Sequence, residues 1–143
     1  MNRDQILDAA AQIIRQKGYH AASMQDIAEA VNLQKASLYH HFSSKQEILL
    51  ELLDQALDLL IERVSGILSQ ELPVDEKLFQ AMRIYLGSLA EYAALTSVLL
   101  LEYRSLNPEY HERYIPRRDR FERLWRDLIH ECVESDVCHD TDP

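Results

Sequence analysis

Residues 24–50 read MQDIAEAVNLQKASLYHHFSSKQEILL, and the spacing of apolar positions within them decides the fold class. Met24, Ile27, Ala28 and Val31 recur at helical spacing, and Ser23 caps the helix they belong to, with Asp26 placed near its positive end. Asn32, Leu33 and Gln34 interrupt the pattern as a tight turn. A second short helix, Lys35 to Phe42, then turns Leu38 and Phe42 inward. Two short helices around a three-residue turn form a helix-turn-helix. Ser44 and Glu47 follow as a capping box that opens a much longer helix.

Working outward, Asn2 and Gln5 form a capping box for a first helix whose apolar stripe is Ile6, Leu7, Ala10, Ile13 and Ile14. Gly18 is expected to end that helix in the left-handed conformation. On the other side, the long helix carries a broad apolar surface from Ile48 to Leu68 and runs to about Leu72, where Pro73 stops it. Its length of about 40 Å is enough to join two halves of a molecule. A fifth helix is expected from about Asp75 to Tyr92. A sixth, from about Ala94 to Leu106, is apolar nearly all round and is expected at the centre of the body. Asn107 and Pro108 read as cap and first residue of another helical stretch, which Pro116 is expected to kink or break. Beyond it Phe121, Leu124, Trp125, Leu128, Ile129 and Cys132 make one stripe, and Ser135–Pro143 reads as a loose tail. Gly and Pro are scarce and no stretch alternates with period two, so the fold class is all-α. A three-helix head over residues 1–45 is expected, joined by the long fourth helix to a helical body over residues 46–143.

The net charge of −9 argues at first against nucleic acid, but the charge is unevenly distributed. Residues 1–45 carry five basic groups (Arg3, Arg15, Lys17, Lys35, Lys45) against four acids (Asp4, Asp8, Asp26, Glu29), which leaves ten basic and twenty acidic groups for the rest. An acidic body repels phosphate, so contact with DNA is confined to the amino-terminal third and non-specific affinity is modest. No apolar run reaches the roughly 18 residues of a membrane span, and the amino terminus lacks a secretion-signal layout. With Cys132 and Cys138 read as reduced, the expected location is cytoplasmic.

The run from Met24 resembles the signature of the tetracycline-repressor (TetR) family. Asp26-Ile27-Ala28, Leu38-Tyr39-His40-His41-Phe42 and Lys45 stand in order and at family spacing, and the likeness covers about residues 3–53. The resemblance implies a homodimeric repressor, with two reading heads on a palindromic operator in double-stranded DNA and a small-molecule inducer bound in the body. Three departures stand out. Asn32 occupies a position where the family usually has Gly, although Asn tolerates the left-handed conformation the turn needs. Gln34 stands where a Ser usually caps the reading helix, so it is expected to be kept for what it contacts. The sequence also stops about where two further family helices, the dimer's core, would begin, and a fragment of a longer chain is expected.

Roles follow for individual residues. Gln34, Lys35 and Ser37 lie on the early, exposed part of the reading helix, where Gln pairs with adenine, Lys with guanine and Ser with either. Tyr39, His40 and Lys45 match family positions that hold phosphates, and Ser23 is a further phosphate candidate. His41, next to Phe42, reads as structural. In the body, Phe79, Met82, Tyr85, Leu89, Tyr92, Tyr103, Phe121 and Trp125 are candidates for lining a ligand cavity, against the plainer reading of ordinary core.

The arginines at 113, 117, 118, 120 and 123 read either as a solvated face paired with Asp119, Glu122 and Asp127 or as an anchor for an anionic ligand such as an acyl-coenzyme A. Cys132, Cys138 and His139 lack zinc-knuckle spacing, and nothing calls for a metal or cofactor. A ligand-responsive repressor is therefore the leading reading, with a helical protein-interaction module as its rival. No Ser/His/Asp set or glycine-rich phosphate loop supports an enzyme.

Overall fold

The computed structural model describes residues 2–135, and among them every regular element is helical. The order is α1 (Arg3–Lys17), α2 (Met24–Ala30), α3 (Lys35–His41), α4 (Lys45–Leu68), α5 (Val74–Glu91), α6 (Ala93–Glu102) and α7 (His111–Glu134), with single 3-10 turns at Tyr103–Ser105 and Pro108–Tyr110. The expected all-α class holds.

Local chemistry explains the boundaries. Asn2 and Gln5 close a reciprocal capping box, and so do Ser23 and Asp26. At α4 only half of the expected box forms. Ser44 Oγ accepts from Glu47 N at 3.2 Å, but the Glu47 carboxylate turns to the Ser43 amide and hydroxyl instead. Gly18 has φ +82° as expected, yet its ψ of 160° is extended rather than left-handed helical. That region is open essentially to glycine alone. Asn32 takes the left-handed φ of 56° that the turn requires.

The long helix α4, 24 residues and about 36 Å, packs against α1, α5, α6 and α7. One apolar core runs along it without interruption from the head residues Ile6, Ile27, Leu38 and Phe42 to Val98, Leu106 and Tyr114 of the body. A smaller cluster of Val64, Ala81 and Leu128 closes the far end.

Three expectations change. Helix α4 ends at Leu68, short of Leu72, because Ser69 hydrogen-bonds back to Gly66 O. Helix α6 is not central: Thr96 and Val98 are buried, but Leu100 and Leu101 are exposed. Its all-round apolarity reflects one face on α1 and α4 and another left open. Pro116 neither breaks nor ends α7, in which it is an interior residue. The carbonyl it leaves unpaired belongs to exposed Glu112, where water can satisfy it. Cys138, His139 and the carboxyl-terminal tail lie outside the described residues.

Candidate DNA-binding face and body cavities

The reading helix α3 is held from behind and open in front. Leu38 and Phe42 are buried. Arg3 reaches across to the His41 carbonyl and the Glu51 carboxylate and lays its guanidinium 4.1 Å from the Phe42 ring centre. This fixes the carboxyl end of α3. In front, Gln34, Lys35, Tyr39 and His40 are exposed and Ser37 is half-buried. Gln34 occupies the cap position but makes no capping hydrogen bond, so its amide is available to a partner.

Of the head's five basic residues, Arg3 pairs with Glu51 and Lys17 with Asp26, the latter at 3.2 Å. Lys35 has no ion pair among the described residues, and its ammonium extends from the first turn of α3. Ser23 Oγ accepts from Asp26 N at 3.0 Å, leaving its own proton for an outside acceptor. The Asp26 carboxyl sits below its ordinary range because the Ser23 amide and the Lys17 ammonium both hold the charged form.

Lys45, expected at a phosphate, has partners within the chain. Its ammonium donates to Tyr19 O at 2.9 Å and Ala22 O at 3.0 Å, with His20 O at 3.5 Å, and lies 4.3 Å from the Tyr19 ring centre. Three carbonyls account for the three N–H groups. The side chain is a clamp on the loop that leads into Ser23. Its neighbour Gln46 donates to the Tyr19 hydroxyl (2.7 Å) and to Ser105 O (2.8 Å), and accepts from Asn107 N (2.7 Å). Sequence patterns flagged none of these contacts, since partners up to 61 residues apart leave no periodic trace.

In the body, an open groove of about 650 Å³ lies between α5 and α7. Leu78, Met82, Tyr85, Phe121, Trp125 and Ile129 form its walls, and Glu122 and Arg126 stand among them as its charged groups. Tyr85 stacks on Phe121 at 5.9 Å and meets Trp125 edge-on at 5.6 Å. Four of the eight expected cavity residues therefore converge: Met82, Tyr85, Phe121 and Trp125.

The other four do not line this groove. Phe79 is 59% exposed on the outer side of α5 and Leu89 is half-buried away from it. Tyr92 accepts from Arg63 at 3.1 Å, and Tyr103 belongs to a separate cavity. The arginine run also divides. Arg117 pairs across to α4, with Asp58 at 2.7 Å and Asp54 at 3.2 Å, rather than with neighbours on its own helix. Burial pushes the Asp54 carboxyl up, against the pull of Arg117.

With this geometry in place, comparison with known proteins decides the family. The model described as "Bacterial regulatory proteins, tetR family" matches residues 6–52. The model described as "Tetracyclin repressor-like, C-terminal domain" matches residues 71–143. The chain belongs to the TetR family. It is a DNA-binding transcriptional regulator of that family, as the helix-turn-helix reading anticipated.

Three TetR-family relatives illustrate the likeness. The HTH-type transcriptional repressor KstR2 of Mycobacterium tuberculosis H37Rv is 29% identical over 134 residues, 93% of this chain and 67% of that protein. The crystal structure of the TetR family regulator PfmR from Thermus thermophilus superposes with a TM-score of 0.87 at 37% identity, covering 97% of this chain and 76% of PfmR. AibR in complex with isovaleryl coenzyme A and operator DNA gives 0.89 at 27% identity, covering 98% and 76%. The chain thus spans about two thirds to three quarters of the length of these relatives.

Proposed function

We propose that this TetR-family chain is a repressor that binds a palindromic operator as a homodimer and is released by a small acyl ligand. Gln34, Lys35 and Ser37 read base edges, while Tyr39, His40 and the Ser23 hydroxyl hold phosphates. The observation that carries the DNA reading is the uncapped Gln34 beside Lys35, which has no ion pair among the described residues, on an otherwise anchored helix. Lys45 contributes by fixing the loop that presents Ser23. Residues 1–45 act as the head and residues 46–143 as the regulatory body.

The groove between α5 and α7 is the ligand site. Its aromatic walls suit an apolar acyl chain, and Arg126 suits an anionic head group. An acyl-coenzyme A combines the two, and AibR, of similar fold, is seen with isovaleryl coenzyme A. Exposed Phe79, Leu100 and Leu101 supply apolar surface of the kind that contacts a partner chain.

Footprinting on the promoter beside the chain's own gene tests the reading. Protection of a two-fold symmetric site, lost on adding acyl-coenzyme A of short or medium chain, is the expected result. Absence of any protected DNA would leave a helical interaction module as the better description.

A further inference from the structure

A second cavity, of about 240 Å³, lies nearer the amino-terminal end of α7 than the aromatic groove, where the 3-10 turn after α6 meets the first turns of α7. Tyr103, Arg104, His111, Tyr114, Ile115 and Arg118 line it. His111, Tyr114, Ile115 and Arg118 recur at helical spacing, so one face of α7 forms a wall. One buried polar atom in this wall lacks the partner that buried groups normally have. Arg118 Nε is buried and has no hydrogen-bond acceptor among the described residues. The nearest carboxylate to it, Glu122, is 3.9 Å away, beyond hydrogen-bond range, and the same guanidinium reaches Asp119 only through Nη2, at 3.4 Å. Tyr114 is only 4% exposed, and its hydroxyl makes no hydrogen bond among the described residues. Burial raises the Tyr114 phenol despite nearby Arg118, so it is a proton donor at neutral pH.

The remaining groups agree with this wall. His111 Nε2 donates to Leu106 O at 3.2 Å, which fixes the ring. Arg104 Nε donates to the Tyr103 hydroxyl at 3.2 Å, so this pair stands as a further cationic group on the lining. Asp54, also near Tyr114, lies 3.2 Å from Arg117 as an ion pair, and its Oδ1 accepts no hydrogen bond among the described residues. Unpaired donors with a cationic edge and an Ile115 floor call for one anionic end and one apolar end in the same ligand. A cavity of roughly 150 Å³ suffices for benzene, so there is room for an aromatic or short-chain body.

We propose that this cavity binds a small monocarboxylate, its carboxylate accepting from Arg118 Nε and the Tyr114 hydroxyl and its apolar body against Ile115. The site is separate from the α5/α7 groove, and its occupant is too small to be an acyl-coenzyme A. It adjoins the turn whose Ser105 carbonyl accepts from Gln46, which in turn donates to the Tyr19 hydroxyl of the head.

Titration calorimetry of the full chain with sodium benzoate tests this, with benzyl alcohol and inorganic phosphate as comparison ligands. Saturable benzoate binding is expected in the millimolar range or tighter. Tyr114→Phe weakens it about tenfold, Arg118→Gln abolishes it, and Arg120→Gln, on the same helix but outside the lining, leaves it unchanged. Trp125 fluorescence and thermal midpoint report whether each variant is folded; should Tyr114→Phe fail to fold, Arg118→Gln carries the test. No benzoate binding, equal binding of benzyl alcohol or of phosphate, or benzoate binding indifferent to Arg118→Gln would each overturn the assignment.

Discussion

The side-chain amide of Gln46 donates to the carbonyl of Ser105 at 2.8 Å, a bond across 59 residues that ties the first turn of α4 to the turn after α6. The same amide group also donates to the Tyr19 hydroxyl, and the Gln46 carbonyl accepts from Asn107 N. One side chain therefore touches the loop in front of the helix-turn-helix and the segment in front of α7. Gln46 thus connects the body turn to the loop that presents Ser23.

Gln46→Ala should remove all three hydrogen bonds and leave Ser105 O without its partner. At about 1 kcal/mol for each bond, the expected loss of stability is about 2–3 kcal/mol, read from urea unfolding. Operator affinity should fall less than stability does, because no DNA-facing group changes. A variant as stable as the parent would show that these bonds carry no net weight.

Lys45 separates clamp from phosphate contact. Lys45→Met should destabilise the chain by about 2 kcal/mol, since charge-assisted bonds to carbonyls are lost. Operator affinity should drop, yet the slope of log K against log salt should stay at the parent value. A lysine neutralising a phosphate reduces that slope by roughly 0.9 when it is lost. A reduction of that size for Lys45→Met, measured by fluorescence anisotropy across a salt series, would return Lys45 to the phosphate set.

Gln34 allows stability and readout to be changed in opposite directions. Gln34→Ser supplies the missing cap of α3 and should raise stability by about 1 kcal/mol. Base preference within the operator should change at the same time, because the bidentate amide is gone. Selection from a randomised operator library before and after the substitution measures this. An unaltered preferred sequence would remove Gln34 from the readout.

Much of this was legible in the sequence, and the exceptions share a cause. Caps at Asn2, Ser23 and Ser44, the left-handed Asn32 and the inward Leu38 and Phe42 all depend on neighbours within a few residues, which periodicity and capping rules describe. The Lys45 clamp, the Gln46 bridge and the Arg117 pairing to Asp54 and Asp58 join residues far apart, and nothing in the neighbouring sequence of Lys45, Gln46 or Arg117 points to those partners. The body was misjudged where composition alone was used. Helix α6 is apolar on faces that this chain does not cover, and Tyr92 is engaged with Arg63 rather than in the groove, while Tyr103 lines the smaller cavity. Pro116 shows a rule applied without its exposure: a proline in a helix is tolerated where the carbonyl it orphans can meet water.

Acid should act on the capping carboxyls at the starts of α2 and α4. The carboxyls of Asp26 and Glu47 are both held below their ordinary values, Asp26 by the Ser23 amide and Lys17, Glu47 by the Ser43 hydroxyl and amide. A carboxyl with a depressed folded-state value contributes stability that is complete above its unfolded value and is lost as pH falls through the folded one. Stability should therefore hold near pH 6 and decline below about pH 4. Asp26→Asn should be less stable than the parent near neutrality, with the gap closing as pH falls towards about 3. Urea midpoints for both proteins across that range check this, and a constant gap would mean that Asp26 ionisation does not contribute.

The groove makes the sharpest division among the aromatic residues. Trp125 stands edge-on to Tyr85 and Phe121 inside it, so an acyl chain entering between α5 and α7 must change the indole's surroundings. Trp125 is the chain's single tryptophan, and its fluorescence reports that event without interference. Titration with a medium-chain acyl-coenzyme A should shift its emission, and Tyr85→Ala or Met82→Glu should weaken the effect at least about tenfold, since each removes apolar wall or places a charge in it. Phe79→Ala and Tyr92→Phe, outside the groove, should leave the titration unchanged. If Phe79→Ala weakens it as much as Tyr85→Ala does, the ligand covers the outer face of α5 rather than the groove between the helices.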